Sequence, residues 1–296
     1  MSQVMSLAQA VERFVPDGAA VAMGCCLEPA IPFAAGHELI RQQRRDLKLI
    51  GPISDSLFDQ LIGAGCVAEV VAAWVGNVSE GLGHCYRRAV ESGDPWTLTV
   101  RDHSNFSISL ALWAAAWNSP YIPTPTLLGS DILSGQAALE LVDGSVRVGA
   151  VRPDVCVLHV QRADAGGRAH TWGPLGVAQE AALAAQRVIL TCEQLVEPEV
   201  ILSDPSRVLV PETKVVAVVH EPGGCLPSPL PGYWKRDHAA FREYAALSRT
   251  AEGFGRWLRE WVLDVPDRAA YLAKLELDPL RITRRLLSEP ADYGYE

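Results

Sequence analysis

The sequence predicts an α/β fold: a three-layer α/β/α sandwich in which a mostly parallel sheet lies between two layers of helices, with a helical C-terminal region. Three observations predict this architecture. Short apolar runs alternate with helical patterns along most of the 296 residues. These runs are apolar at consecutive positions, which is typical of strands that helices cover on both faces. From residue 235 onward, the large apolar residues fall at helical spacing instead.

The first half of the chain begins with a helix and then repeats a strand–loop–helix unit. Ser6 and Gln9 stand three residues apart at the start of a helical apolar pattern, as in a capping box. Four apolar runs are predicted strands: residues 19–23, 47–50, 67–75 and 96–100. Four segments after them are predicted helices: residues 33–43, 57–62, 80–91 and 107–117.

The second half resumes the same unit after an interruption. Two prolines make residues 121–125 extended or irregular. Further strands are predicted at residues 155–160, 187–191 and 215–219, with a turn at residues 165–167 and a helix near residues 177–185. We expect residues 1–288 to form one domain and residues 289–296 to be a loose tail.

Charge and composition argue against several classes of protein. A net charge of -9 argues against nucleic acid as a partner, because phosphate binding needs a basic surface. No apolar run is long enough to span a membrane, and the N-terminal residues lack the pattern of a secretory signal. The seven cysteines form no CxxC pair, and several sit in apolar runs, which is typical of buried thiols. We therefore expect a cytoplasmic protein without a metal site.

Candidate binding residues lie in the loops that follow the predicted strands. In an open parallel sheet, ligands bind beyond the carboxyl ends of the strands. Small and hydroxyl residues there can offer amides and hydroxyls to a carboxylate, a phosphate or a thioester oxygen. The candidates in the first three loops are Gly24, Glu28, Ser54, Asp55, Ser56 and Asn77. Residues 54–56 also suit simple N-capping of the next helix, and the two roles are compatible.

Other groups at strand ends leave further possibilities open. Glu193 and Glu221 are carboxylates of the kind that a nucleophile or a general base requires. Each is equally consistent with a cap, an ion pair or a solvated loop charge. Cys25 and Cys26 could include a reactive thiol, although no basic residue adjoins them in sequence to lower its pKa. The sequence contains no G-x-S-x-G elbow, P-loop or G-x-G-x-x-G motif.

Residues 17–32 resemble the first signature of the family I coenzyme A transferases. The positions that match it are Asp17, Gly18, the apolar triplet at residues 21–23, Gly24 and Pro32. Cys25, Cys26 and Ala30 depart from it, because the signature has glycine, phenylalanine and glycine there. The side chains of Cys25, Cys26 and Ala30 therefore leave less free space along this loop than the family signature does.

Further stretches resemble the same family in the family's own order. They are residues 45–50, 59–67, 87–93 and 220–228. The last two resemble the A chain of the glutaconate CoA-transferases, and the A chain of the steroid-ring-opening CoA hydrolases is similar for the same reasons. The resemblance covers about residues 7–250, and it implies the CoA-transferase-like variant of the α/β sandwich.

The resemblance implies a reaction that is divided between two chains. Family I enzymes move CoA between carboxylic acids through a glutamyl-CoA thioester, and their nucleophilic glutamate lies in the B half within a Ser-Glu-Asn-Gly type motif. The nearest string here contains Glu91 and ends at Gly93, where a helix C-cap is expected. We therefore interpret Glu91 as a decoy and expect no catalytic residue in this chain. A separate B-type chain in an αβ or α2β2 assembly would supply the glutamate, with CoA as a substrate and no permanently bound cofactor.

Two other functions are consistent with the same residues. An acyl-CoA hydrolase of the same fold would differ only in using water to attack the activated intermediate. A non-catalytic ligand-binding module of the same fold is the alternative from another class, although the basic helix-turn-helix of a regulator is missing from this sequence.

Overall fold

A computed structural model describes residues 2–134 and 138–275. The predicted tail at residues 289–296 lies outside these described residues. The predicted fold class is confirmed, because a mostly parallel central sheet is flanked by helices on both faces.

The central sheet has nine strands. Across the sheet, eight of them follow one another in the order β1 (Gln3–Val4), β14 (Val215–His220), β13 (Arg187–Leu195), β11 (Val155–Ala163), β2 (Ala20–Ala22), β3 (Leu47–Ile50), β4 (Val67–Ala72) and β7 (Thr99–Asp102). All of these neighbours pair in parallel. The ninth strand, β12 (Ala169–His170), pairs with β11 in the antiparallel sense.

Ten α-helices are found in the described part of the chain. They are α1 (Leu7–Phe14), α2 (Phe33–Arg41), α3 (Ser56–Gly63), α4 (His84–Ser92), α5 (Asn105–Ala116), α6 (Ala178–Ala184), α7 (Pro198–Leu202), α8 (His238–Ser248), α9 (Ala251–Leu258) and α10 (Arg268–Lys274). The predicted capping box is confirmed at α1, where Ser6 and Gln9 bond each other's backbone amides. The helical C-terminal region is confirmed by α8, α9 and α10.

Inner strands such as β11 and β13 bury both of their faces, which is why their sequences are mostly apolar at consecutive positions. In β11, Val155 and Val157 point into a core shared with α1–α4, α8 and α9. Cys156 and Leu158 point to the opposite face, where α5 and α6 pack. A side-chain period of two in a strand therefore produces the two helical layers of the sandwich.

The structure differs from the sequence prediction in three regions. The strand predicted at residues 96–100 begins only at Thr99 and continues to Asp102. The predicted helix at residues 80–91 begins only at His84, because a short hairpin of β5 (Gly76–Asn77) and β6 (Gly81–Leu82) takes up the preceding residues. Three short strands form an unpredicted antiparallel sheet in the order β8 (Tyr121–Thr124), β10 (Ser145–Gly149) and β9 (Leu139–Val142). This small sheet packs its apolar face on α5, which explains how residues outside the central sheet obtain a core of their own.

The strand order reverses direction between β2 and β11. From β2 the chain proceeds outward through β3, β4 and β7, whereas from β11 it proceeds to the other side through β13 and β14. Open α/β sheets bind ligands beyond the carboxyl ends of the strands at such a switch point. The loop at residues 24–32, which follows β2, lies at this position. No described helix is both long and apolar enough to cross a membrane.

Candidate active site

Gly24 and Ser54 are in direct contact at the carboxyl edge of the sheet. Gly24 has a φ of +65°, and a Cβ built on it would lie 2.7 Å from the Cβ of Ser54 and closer still to its Oγ. Ser54 is fully buried, and its hydroxyl donates a hydrogen bond of 3.1 Å to the carbonyl of Met23. The loops after β2 and β3 are therefore fitted together with no room for a side chain at position 24.

Asp55 adopts a backbone conformation that is unusual for a residue with a side chain, with φ 44° and ψ -141°. Its buried carboxylate accepts hydrogen bonds from the amide of Val78 at 3.0 Å and from Arg236 Nη1 at 2.5 Å. Burial raises the pKa of Asp55 above its ordinary value, and the hydrogen bond and charge of Arg236 offset only part of that increase. Three distant segments of the chain thus meet at one carboxylate.

The remaining candidates occupy two different environments. Ser56 is buried, and its hydroxyl oxygen lies 3.3 Å from the side-chain amide nitrogen of Gln60, which donates to it. Asn77 is also buried and donates to the carbonyl of Phe241 at 2.8 Å. Glu28 has an exposed side chain, whereas its carbonyl accepts a hydrogen bond from the Ser228 hydroxyl. The structure therefore groups five candidates around residues 54–56 and places Glu28 on the outer rim of the loop after β2.

The loop at residues 24–32 is held in place from the C-terminal half of the chain. The carbonyl of Cys25 accepts a hydrogen bond of 2.8 Å from the amide of Val177, at the start of α6. The amide of Ala30 donates to the carbonyl of Pro229 at 2.9 Å. Leu27 and Ala30 both have positive φ values, of 73° and 54°. Backbone strain of this kind concentrates at functional sites, where the surrounding structure enforces it.

The cysteines of this loop are buried and poor nucleophiles. Burial raises the pKa of the Cys26 thiol to about 12. A hydrogen bond with Cys156, together with burial, raises the pKa of Cys25 as well. Because the thiolate is the reactive form, the geometry argues against a reactive thiol at either position.

We expect the folded protein to resist thiol reagents. All seven cysteines are free and buried, so an aromatic disulfide reagent should modify fewer than about one of them in the time that it modifies all seven in denaturant. The measurement is the absorbance of the released aromatic thiol in native and denatured samples. Rapid modification of Cys25 or Cys26 in the native sample would contradict the buried loop.

Glu193, one of the carboxylates at strand ends, belongs to a buried hydrogen-bond network. Its oxygens accept bonds from the Gly223 amide at 2.9 and 3.0 Å, and one of them lies 2.9 Å from His159 Nε2. Burial by itself would raise the pKa of Glu193, but the bonds from His159 and Gly223 lower it below its ordinary value. Glu193 is therefore ionised near neutral pH, and the Nε2 of His159 carries the hydrogen that it accepts.

The same network brings together three groups with metal-ligating atoms. One ligand atom each of His159, Glu193 and Cys225 lies within 4.8 Å of the others, although the residues are far apart in sequence. Both carboxylate oxygens already accept hydrogen bonds, and burial raises the pKa of the Cys225 thiol. These contacts describe a satisfied core network, in which a metal ion would have to displace existing hydrogen bonds.

Glu91 lacks the environment of a nucleophile. It stands near the end of α4, forms a surface ion pair of 3.2 Å with Arg87, and is followed by Gly93, which has φ 67° and caps the helix as predicted. Its carboxyl group is solvent-exposed, with 59% of the side chain accessible.

Arg236 is the residue at this edge that sequence reasoning missed. It is separated from Asp55 by 181 positions, so no local spacing connects the two. The only signal in the sequence is that a buried aspartate requires a cation from elsewhere in the chain.

Comparison with known proteins identifies the relatives of this chain. Residues 4–221 match the family model described as coenzyme A transferase. The chain is 36% identical to the A chain of the 3-oxoadipate CoA-transferase of Pseudomonas knackmussii, over 93% of this chain and 99% of the relative. It is 30% identical to the A chain of the glutaconate CoA-transferase of Acidaminococcus fermentans, over 93% and 92% of the two chains.

Solved structures agree with the sequence relatives. The glutaconate coenzyme A-transferase of Acidaminococcus fermentans superposes with a TM-score of 0.88 at 29% identity, covering 93% of each chain. One chain of the decarboxylase AibA/AibB superposes with a TM-score of 0.74 at 30% identity, covering 87% of this chain and 98% of that one. Sequence and fold agree, and the chain belongs to the coenzyme A transferase family as a chain of the A type.

Proposed function

We propose that this chain is the A-type half of a two-chain acyl-CoA transferase that moves CoA between carboxylic acids. The observation that carries the proposal is the end-to-end match to the A chain of a 3-oxoadipate CoA-transferase, which covers 99% of that relative. The B-type partner supplies the glutamate that forms the glutamyl-CoA thioester, and the two chains assemble as αβ or α2β2. CoA enters as a substrate, and the protein acts in the cytoplasm without a permanently bound cofactor.

The surface of the chain supports a partner. Large apolar side chains are exposed on and beyond α5, including Phe106 at 54% and Trp117 at 65%. Leu141 in the small antiparallel sheet is 59% exposed. In this proposal the B-type partner covers these side chains, because contiguous apolar surface is typical of protein interfaces.

The substrate-binding residues in this proposal are Gly24, Glu28, Ser54, Asp55, Ser56 and Asn77. Their position at the carboxyl edge next to the switch point supports this role. Fixed amides and hydroxyls at this edge would stabilise the oxyanion that forms during acyl transfer. The acyl acceptor is a small dicarboxylate, because the two named substrates of the relatives, 3-oxoadipate and glutaconate, are both dicarboxylates.

We expect Ser54→Ala or Ser56→Ala to lower the kcat/KM of the assembled enzyme by about ten- to a hundredfold. A hydroxyl that contacts a charged carboxylate contributes roughly 1.5–3 kcal/mol. The melting temperature should fall only slightly, since a single lost hydroxyl hydrogen bond costs about 1 kcal/mol and neither serine side chain caps α3. If both variants keep full kcat/KM and melt markedly lower, the hydroxyls only hold the loops together, as the bond from Ser54 to Met23 already does.

An assay of the reconstituted pair tests the proposed reaction. The pair is mixed with an acyl-CoA donor and a dicarboxylate acceptor, and the products are separated by liquid chromatography and mass spectrometry. Formation of the acceptor's CoA thioester supports the transferase. Release of free CoA without a new thioester indicates a hydrolase, release of carbon dioxide a decarboxylase, and binding without turnover a ligand-binding module; each of these results overturns the proposal.

A further inference from the structure

The Asp55 carboxylate and Arg236 form an ion pair that lies almost entirely inside the protein. The Asp55 side chain has no solvent exposure and that of Arg236 only 9%. Ion pairs are rarely buried in this way, because removing two charges from water is costly unless the geometry satisfies both of them. The Asp55 carboxylate uses most of its capacity to accept hydrogen bonds, since it also accepts from the amides of Val78 and Ser56.

Arg236 contacts two different loops at once. Its Nη1 donates to Asp55 in the loop after β3, while its Nε and Nη2 lie 3.2 and 3.0 Å from the hydroxyl of Ser79 in the β5–β6 hairpin. A guanidinium can bridge in this way because its donors are fixed in one plane, whereas a lysine ammonium is a single point charge. The side chain of Arg236 therefore sets the distance between the two loops.

The guanidinium is itself held by the C-terminal helices. It stacks over the ring of Phe241, in α8, with 3.8 Å between the guanidinium carbon and the ring centroid. The carbonyl of Phe241 accepts the hydrogen bond from Asn77, in the first strand of the same hairpin. The position of α8 is thus coupled to the two loops through the side chain of Arg236 and the carbonyl of Phe241.

The backbone of Asp55 needs such support. Its φ of 44° with ψ of -141° lies outside the regions that residues with a Cβ favour. A strained conformation persists only where the surroundings enforce it, and the bonds to the Asp55 carboxylate provide that enforcement here. Ser54 and Ser56 flank Asp55 in the chain, so the conformation of Asp55 helps to set where the two serine side chains lie.

We propose that Arg236 is a positioning residue of the active site, which holds residues 54–56 in the conformation that the reaction requires. This inference rests on the proposed transferase function. Arg236 touches no reacting group itself; it acts through Asp55 and Ser79. Without the Arg236 side chain, Ser54 and Ser56 should shift from their positions at the edge of the sheet. A displacement of about 1 Å at a reacting centre lowers the rate by up to roughly a hundredfold.

The test compares Arg236→Met and Arg236→Lys with Lys235→Met in the assembled two-chain enzyme, at a temperature where all variants are folded. Lys235 is the exposed neighbour and serves as the matched control. We expect Arg236→Met to lower kcat by about thirty- to a hundredfold with little change in KM, Arg236→Lys to recover part of that loss, and Lys235→Met to resemble the wild type. Unchanged kcat in a folded Arg236→Met enzyme would overturn the proposal.

A double variant separates positioning from simple stability. Arg236→Met with Asp55→Asn removes both charges, so the melting temperature should recover relative to Arg236→Met alone. Because Asp55 is itself among the proposed substrate-binding residues, the reference is Asp55→Asn alone. If Arg236 positions the loop, kcat of the double variant stays below that of Asp55→Asn, because the bridge to Ser79 is still missing. A double variant with the same kcat as Asp55→Asn would show a structural role only.

Amide hydrogen exchange tests the positioning role of Arg236 separately from the proposed transfer of CoA. The amide of Val78, which donates to Asp55, should exchange at least about tenfold faster in Arg236→Met than in the wild type, in the full chain with its partner. An unchanged exchange rate overturns the positioning role whether or not the wild type transfers CoA. Absence of CoA transfer in the wild type, with faster exchange in the variant, overturns only the proposed reaction.

Discussion

Replacing Gly24 with alanine is expected to destabilise the folded chain by about 2–5 kcal/mol and to lower kcat/KM of the assembled enzyme by up to roughly a hundredfold. Two costs add up. A residue with a Cβ pays about 1–2 kcal/mol at the φ of +65° found here, and forcing an extra carbon into a packed site costs about 1–3 kcal/mol. The new Cβ would collide with the side chain of Ser54, which must move out of place.

Gly18→Ala is the matched control for this prediction. Gly18 has a similar φ of +75°, but a Cβ built there meets nothing within 4 Å. It should therefore show only the conformational cost of about 1–2 kcal/mol and keep full activity. Urea unfolding of both variants measures the difference. If Gly24→Ala and Gly18→Ala lose the same unfolding free energy, the close contact between position 24 and Ser54 adds nothing to the cost of the substitution.

Removing the Glu193 carboxylate is expected to have the largest effect on stability. Glu193→Ala leaves the amide of Gly223 and the ring of His159 without their buried acceptor, and each buried donor left without a partner costs about 1–3 kcal/mol. Glu91→Ala is the control, because that exposed carboxylate forms only a surface ion pair worth less than about 1 kcal/mol. A Glu193→Ala variant that unfolds at the same urea concentration as Glu91→Ala would contradict the network.

The pH dependence of this effect has a definite sign. The pKa of Glu193 in the folded chain lies below its ordinary value, because the bonds from His159 and Gly223 outweigh the effect of burial. The stabilisation is therefore fully present above the ordinary glutamate range near roughly pH 4.3, and it is lost as the pH falls through the folded value. The gap in unfolding free energy between wild type and Glu193→Gln should be widest near neutral pH and narrow in acid. A gap in unfolding free energy that widens in acid would contradict an ionised Glu193 carboxylate in the folded chain.

The central sheet could be predicted from the sequence because its signals are local. The strand at residues 47–50 has the bounds that its apolar run indicates, and Gly51 and Pro52 mark its end. The small antiparallel sheet could not be predicted in this way. Its strands are only four or five residues long, and they are stabilised by packing on α5, which no short window of sequence contains.

The candidate site was predictable in position but not in its contacts. Parallel strands place the loops after β2 and β3 at one edge of the sheet, which is where the candidates Gly24 and Ser54 lie. The cation that pairs with Asp55 comes from a segment 181 residues away, and the bond between His159 and Glu193 spans 34 residues. Such pairs depend on the three-dimensional arrangement of the chain, and neither motif nor spacing announces them.

Trapping the covalent intermediate tests most directly whether this chain is the A half of a divided enzyme. The two-chain enzyme is incubated with an acyl-CoA donor and treated with borohydride, which reduces a glutamyl thioester, and the modified residue is located by mass spectrometry of both chains. The account predicts a single modified glutamate on the partner chain, with Glu91, Glu193 and Glu221 unmodified, and no turnover by this chain alone. A modified glutamate in this chain, or transfer of CoA without the partner, would contradict it.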